Sequence, residues 1–205
     1  MPLSGPFARI RALIALAGDA PSRESFARTF EAALATKVLP LESLDAGEAD
    51  LASLDDGAWQ HFKAGAAERL MRAPKRGWDP LFDLLNEAKG YAYLQSLGCM
   101  EIAFVARTYA GKSPDLMAAL NGRRVLCEVK TVSVAETLLS DEFLSGKLAW
   151  TLAEAKAQME EFGPRDARMI VTLVFRRATG APMSAASREQ IEALAASTGV
   201  EVAVF

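Results

Sequence analysis

Asp115, Glu128 and Lys130 are the residues of this chain whose types and spacing could do chemistry. They fall in "SPDLMAALNGRRVLCEVKTVS", a stretch that is otherwise largely apolar. Two carboxylates facing each other repel unless something positive sits between them. Lys130 can be that counter-charge, and so can a bound metal. Oxygen-only ligation by Asp and Glu suits a hard divalent ion such as Mg2+ or Mn2+, which keeps several waters and takes one or two protein carboxylates. The plain alternative is a solvated edge hairpin carrying an incidental ion pair.

The elements that must position these residues can be built from local rules. Asn121-Gly122 is a strong signal for a two-residue turn, because both central positions need positive φ. The flanks "LMAAL" and "RRVLCEVKTV" are apolar enough for strands. Tight closure at the turn sets Asp115 directly opposite Glu128 on one face of the hairpin. Side chains alternate along the second strand, so Glu128 and Lys130 project to one side. Val125, Cys127, Val129 and Thr131 project to the other. A turn one residue longer or shorter would shift the register and separate the two acids.

A helix precedes the hairpin. In "WDPLFDLLNEAKGYAYLQSLG", Asp79 is an N-cap candidate, Pro80 suits the first helical position, and Gly98 stands just past the end. Leu84, Tyr91 and Leu94 recur at helical spacing as an apolar stripe. Glu87 lies in that stripe. An unpaired carboxylate on a core-facing position is costly, so Glu87 either serves a site or pairs with Lys89 or an arginine.

Pro114-Asp115, a turn, and then Glu128-Val129-Lys130 resemble the signature of the PD-(D/E)XK nuclease superfamily, with its restriction-endonuclease-like fold. The resemblance covers roughly residues 79 to 175; nothing before Asp79 takes part in it. It implies an α/β fold with an αβββαβ core, a mixed central sheet flanked by helices, here with an all-helical N-terminal extension. It implies a metal-dependent nuclease that hydrolyses phosphodiester bonds, most simply a DNA endonuclease leaving a 5′-phosphate. It also implies roles. Asp115 and Glu128, with the carbonyl of Val129, would hold Mg2+ or Mn2+. Glu87 would help a second ion or a metal-bound water, and Lys130 would orient the attacking water. The alternative is a nuclease-like domain that binds nucleic acid or a protein partner without cutting.

The remaining elements read as follows. Met100 to Tyr109 is an expected strand, with "GKS" a turn that lacks the phosphate-loop pattern. "VSVAETLLSDEFLSGK" reads as an ordered loop or short helix. "LAWTLAEAKAQMEEFG" reads as an amphipathic helix ending at Gly163-Pro164. Lys156 and Gln158 on it are expected on its solvated face; the alternative, from the resemblance, is that a glutamine or lysine on this helix faces the active site. "RMIVTLVFRR" is an expected buried strand, "SREQIEALAAST" a helix with a capping box at Ser187 and Gln190, and "VEVAVF" a final strand. Residues 1–77 read as a helical cap and 78–205 as the nuclease-like core. Within the cap, helices are expected from Pro6 to Ala17, Pro21 to Thr36 and Leu54 to Arg72, with the acidic stretch "LESLDAGEADLASLDDG" a loop.

Composition sets limits. The 205 residues, 51% hydrophobic, suffice for one sizeable core or a core with a cap. No run of eighteen apolar residues argues for a membrane span. Arginines interrupt the apolar part of the N-terminus, which argues against a signal peptide. Two cysteines make no disulfide framework, and a reducing cytoplasm fits them. His61 is the single histidine, which disfavours a His-rich zinc site or a histidine-based triad. The formal net charge of −3 sits awkwardly with a polyanionic ligand. The basic clusters Arg72–Arg76, Arg123-Arg124 and Arg176-Arg177 are candidate phosphate contacts, and a homodimer or protein partner would complete the binding surface.

Overall fold

The hairpin forms in the register that its turn dictates. Asn121 and Gly122 both take positive φ, 51° and 76°. Leu120 pairs with Arg123, Ala118 with Val125, and Leu116 with Cys127. The two strands are β2 (Leu116–Leu120) and β3 (Arg123–Val132). In the computed structural model the described residues are 6–16, 26–36, 39–72, 77–106, 113–132, 144–164, 166–175 and 183–205. They divide into two compact units, Met1–Ala92 and Tyr93–Phe205. That boundary falls inside a helix, rather than before it at residue 77.

The second unit is α/β. β1 (Met100–Phe104) pairs antiparallel with β2, and β2 antiparallel with β3. β4 (Arg168–Phe175) and β5 (Glu201–Val204) then add in parallel, giving one five-stranded mixed sheet in the order β1-β2-β3-β4-β5. Parallel neighbours need crossover connections. The first runs through a π-helical turn, Leu144–Leu148, and α6 (Ala149–Phe162). The second is α7 (Ala185–Thr198). Leu152, Ala155 and Met159 of α6 and Ile191 of α7 are buried against Leu126, Val132, Val171 and Leu173 on one sheet face. β4 is apolar on both sides, and residues 170–175 are all buried, as a strand covered on both faces requires.

The first unit is helical: α1 (Ala8–Leu16), α2 (Phe26–Ala35), α3 (Leu41–Ala52), α4 (Asp56–Arg72) and most of α5 (Asp79–Ser96). The acidic stretch expected as a loop is largely α3. Leu44, Gly47 and Leu51 are its buried positions, at helical spacing, and the acids occupy its other faces. Gly47 has no room for a Cβ, which would lie 2.8 Å from a methyl of Leu85. Glu48 of α3 caps α1, accepting from the backbone N–H groups of Arg9 at 2.7 Å and Ile10 at 2.9 Å. Trp59 and Phe62 are core, and His61 is exposed.

α5 ends as its sequence implies. Gly98 takes φ 77°, its N–H reaches the Gln95 carbonyl, and the Cys99 N–H reaches back to Leu94 at 3.1 Å. This paired bonding satisfies carbonyls that the helix end leaves open. α7 starts three residues before the expected capping box. Ser184 is its N-cap and accepts from the Ser187 N–H at 3.2 Å, so Ser187 is a first-turn residue and not the cap. β1 stops at Phe104, and residues 107–112, 133–143 and 176–182 lie outside the described residues, as do the ends of the β1 and β4 expectations.

Candidate functional site

The period-2 alternation of β3 puts Arg124, Leu126, Glu128, Lys130 and Val132 on the sheet face covered by α6 and α7. Glu128 is therefore a carboxylate in an apolar wall, only 4% exposed. Such a group must be hydrogen-bonded or it is costly. It is well supplied. Lys130 donates to Oε1 at 2.7 Å. Gln158 of α6 donates to Oε2 at 3.0 Å, and the Asp115 N–H reaches the same oxygen at 3.2 Å.

Asp115 answers across the hairpin. Its Oδ2 accepts from the Val129 N–H at 2.9 Å, while its carbonyl accepts from Val105 N–H at 2.9 Å. Each acid thus takes a backbone N–H beside the other, which locks their register. Gln158 also donates to the Ser113 carbonyl, so it ties α6 to the residues leading into β2. Asp115, Glu128 and Val129 are joined by hydrogen bonds across the hairpin, and Lys130 pairs with Glu128.

Electrostatics follow from this burial. Glu128 is pushed up to about 7, first by removal from water and then by the Asp115 charge, with Lys130 pulling the other way. On the opposite face Cys127 is fully buried, and its sulfur lies 3.4 Å from the Thr172 hydroxyl. Burial pushes its thiol up to about 12, so it is no nucleophile at neutral pH.

Gln158 corrects the sequence reading, which put it on a solvated face. It follows Ala155 by three residues and precedes Met159, both buried, so it borders the apolar stripe of α6. The border position was one signal, and the resemblance, with its glutamine or lysine on this helix, was the other. Lys156 is half-buried, with its Nζ 3.7 Å from Glu160 one turn along the helix. Glu87 belongs to the first unit. Arg69 holds it there, with Nη1 2.5 Å from each carboxylate oxygen, which is the arginine pairing expected as its alternative. Of the basic clusters, Arg123-Arg124 is described and exposed at the hairpin tip. The side chains of Arg72–Arg76 and Arg176-Arg177 lie outside the described residues.

Asp115 and Glu128 carry the donor type a hard divalent ion takes, and both Glu128 oxygens already accept from Lys130, Gln158 and the Asp115 N–H. Asp115 and Glu128 supply only oxygens, and among the described residues no group of three or more His, Cys, Asp and Glu converges as a metal cage. Carboxylates are ligands that Mg2+ or Mn2+ takes together with several waters, whereas a structural zinc site is built from Cys and His. Among the described residues no helix is long and apolar enough to cross a membrane. No family model, curated protein or solved structure matches the chain.

Proposed function

We propose that this protein is a metal-dependent nuclease of the PD-(D/E)XK kind, hydrolysing phosphodiester bonds in nucleic acid and most simply acting as a DNA endonuclease. The observation that carries the reading is the convergence of Asp115, Glu128 and Lys130, with Gln158, on one sheet face. The order of elements from α5 to β4, three antiparallel strands followed by a helix and a parallel strand, supports the restriction-endonuclease-like core that the motif implies.

In this reading Asp115, Glu128 and the Val129 carbonyl hold Mg2+ or Mn2+. A divalent ion there would lower the pKa of a bound water and offset charge on the scissile phosphate. Lys130 orients the attacking water and faces the developing negative charge with a fixed ammonium. Gln158 keeps Glu128 aimed, because it holds one carboxylate oxygen from a helix packed on the sheet. A contribution from Glu87 rests on the resemblance alone. Glu128 favours a second reading, a domain that binds nucleic acid or protein without cutting, because both of its oxygens are already taken by Lys130, Gln158 and the Asp115 N–H.

Cleavage of plasmid and single-stranded DNA in millimolar Mg2+ or Mn2+ tests this. Wild type should nick DNA only with metal, and Lys130→Ala and Asp115→Ala should each abolish nicking. Wild type that cuts neither DNA nor RNA would refute the enzyme reading in favour of the binding domain.

A further inference from the structure

A polyanion needs a local positive track on a chain of net charge −3. Among the described residues, α6 and α7 cover the Glu128 face over β3 and β4 but not over the β1–β2 end. Met100 and Met117 remain 68% and 37% exposed there. Met117 pairs with Leu126 and Ala119 with Arg124, so both share the face of Glu128. A groove of about 580 Å³ opens at this end, lined by Glu101, Met117, Ala119, Arg123, Arg124 and Pro164.

The groove has an apolar floor and a cationic end. Arg123 and Arg124 are exposed and make no ion pair among the described residues. Alternation puts the Arg124 side chain on the face of Met117 and Ala119 and Arg123 on the other, and Glu101 is the single acid of the lining. Glu101 takes φ 53° where the β1–β2 register slips between Met100 and Ala103. A bulge of this kind re-aims side chains beside a site.

The groove and the proposed site share β2 and β3 and lie on the same sheet face. On β3 the step from Glu128 to Arg124 is blocked, because Leu126 is fully buried beneath Gly163. On β2 Met117 is exposed between half-buried Asp115 and Ala119. Four residues at about 3.3 Å each span roughly 13 Å. That is about four steps of a stacked strand at roughly 3.4 Å per nucleotide.

We infer that the exposed face of β1–β2 guides one strand of the nucleic acid away from the Asp115–Glu128 site, a base resting on Met117 and a phosphate about four nucleotides from the scissile bond meeting Arg124. This rests on the nuclease reading for the position of the scissile bond. The binding of a strand along the groove can be measured apart from cutting.

The probe is a fluorescein-labelled single-stranded DNA oligonucleotide, titrated without divalent metal between 50 and 200 mM salt. Arg124→Ala should weaken binding about tenfold, as loss of a charged hydrogen bond does. It should flatten the plot of log K against log salt by about 0.7, the value for one lost phosphate contact on a single strand. Arg124→Lys should restore the slope, which a merely structural role would not do. Wild type that binds and cuts while Arg124→Ala leaves affinity and slope unchanged overturns the groove and spares the nuclease. Binding that depends on Arg124 without any cutting supports the groove and sinks the nuclease. Wild type that neither binds nor cuts overturns both. If Met117→Glu turns a dimer into a monomer and leaves the salt slope alone, the groove is an interface between two copies, and the inference falls.

Discussion

Replacing Glu128 with glutamine should stabilise the protein at pH 8 relative to wild type, and progressively less so as the pH falls towards 4. The carboxyl is 4% exposed and its folded-state pKa is raised from 4.5 to about 7. The folded state therefore holds this proton more tightly than the unfolded chain does. Stability from the protonated group is fully present below about 4.5 and is lost as the pH rises through about 7. Each pKa unit corresponds to about 1.4 kcal/mol, so the loss across the window is about 3 kcal/mol. Glutamine keeps the size and still accepts from Lys130, but it has no charge to desolvate.

Urea unfolding followed by circular dichroism, at half-unit steps from pH 4 to 8, measures the difference between the two proteins. Taking the difference at each pH removes the titrations they share. Their stability gap should widen by about 3 kcal/mol in favour of Glu128→Gln, with most of the change between pH 4.5 and 7. A gap that stays flat, or that widens towards acid, would refute the reasoning, since it would mean Lys130 and Gln158 compensate burial fully. A divalent ion competes with the same proton. Affinity for Mn2+, measured by calorimetry, should fall about tenfold per unit below pH 7 and level off above it.

Gln158→Ala should cost about 1–2 kcal/mol, because it removes the donor to both Glu128 and the Ser113 carbonyl and leaves a buried acceptor short of a partner; thermal unfolding measures this, and a cleavage assay should show a lower rate with metal affinity also reduced. Gly163→Ala should destabilise by about 1–3 kcal/mol, since the added Cβ runs into the side chain of fully buried Leu126, and no shift in urea midpoint would refute that contact. Ser184→Ala should cost about 1 kcal/mol by removing the cap of α7, and Ser187→Ala should cost less; the reverse ranking would restore the cap to Ser187.

The hairpin was legible because a two-residue turn and a period of two leave no freedom: once Asn121-Gly122 closes, the face and partner of every residue follow. α6 and the end of α5 were legible from the glycines at 163 and 98. The acidic helix α3 was not, because only three of its positions are buried, one of them a glycine, and hydropathy reads little there. Gln158 was missed for a different reason. Helical spacing tells which residues share a face, but the rotation of α6 on the sheet, set by packing of Leu152, Ala155 and Met159, decides whether a bordering residue meets water or Glu128. Ser184 lost to Ser187 because both fit a cap, and only the backbone chooses.

Glu128 shows what such a pattern can carry. In "VLCEVKTV" a single acid interrupts an apolar run, and alternation assigns it to a face that the following helix must cover. Burial there works against stability at neutral pH, where the carboxyl titrates. Lys130 alone would offset a surface acid. At a buried one, the chain also brings an amide from α6 and a backbone N–H from β2's approach, and it sets a second carboxylate beside them. The ion pair with Lys130 needs no second carboxylate, and Asp115, though it also holds the Val129 N–H, raises the cost of ionising Glu128. A cation site does need it, because the repulsion between the acids becomes attraction once a divalent charge lies between them. The presence of Asp115 opposite Glu128, more than the presence of Lys130, is therefore what favours a metal site over an incidental ion pair.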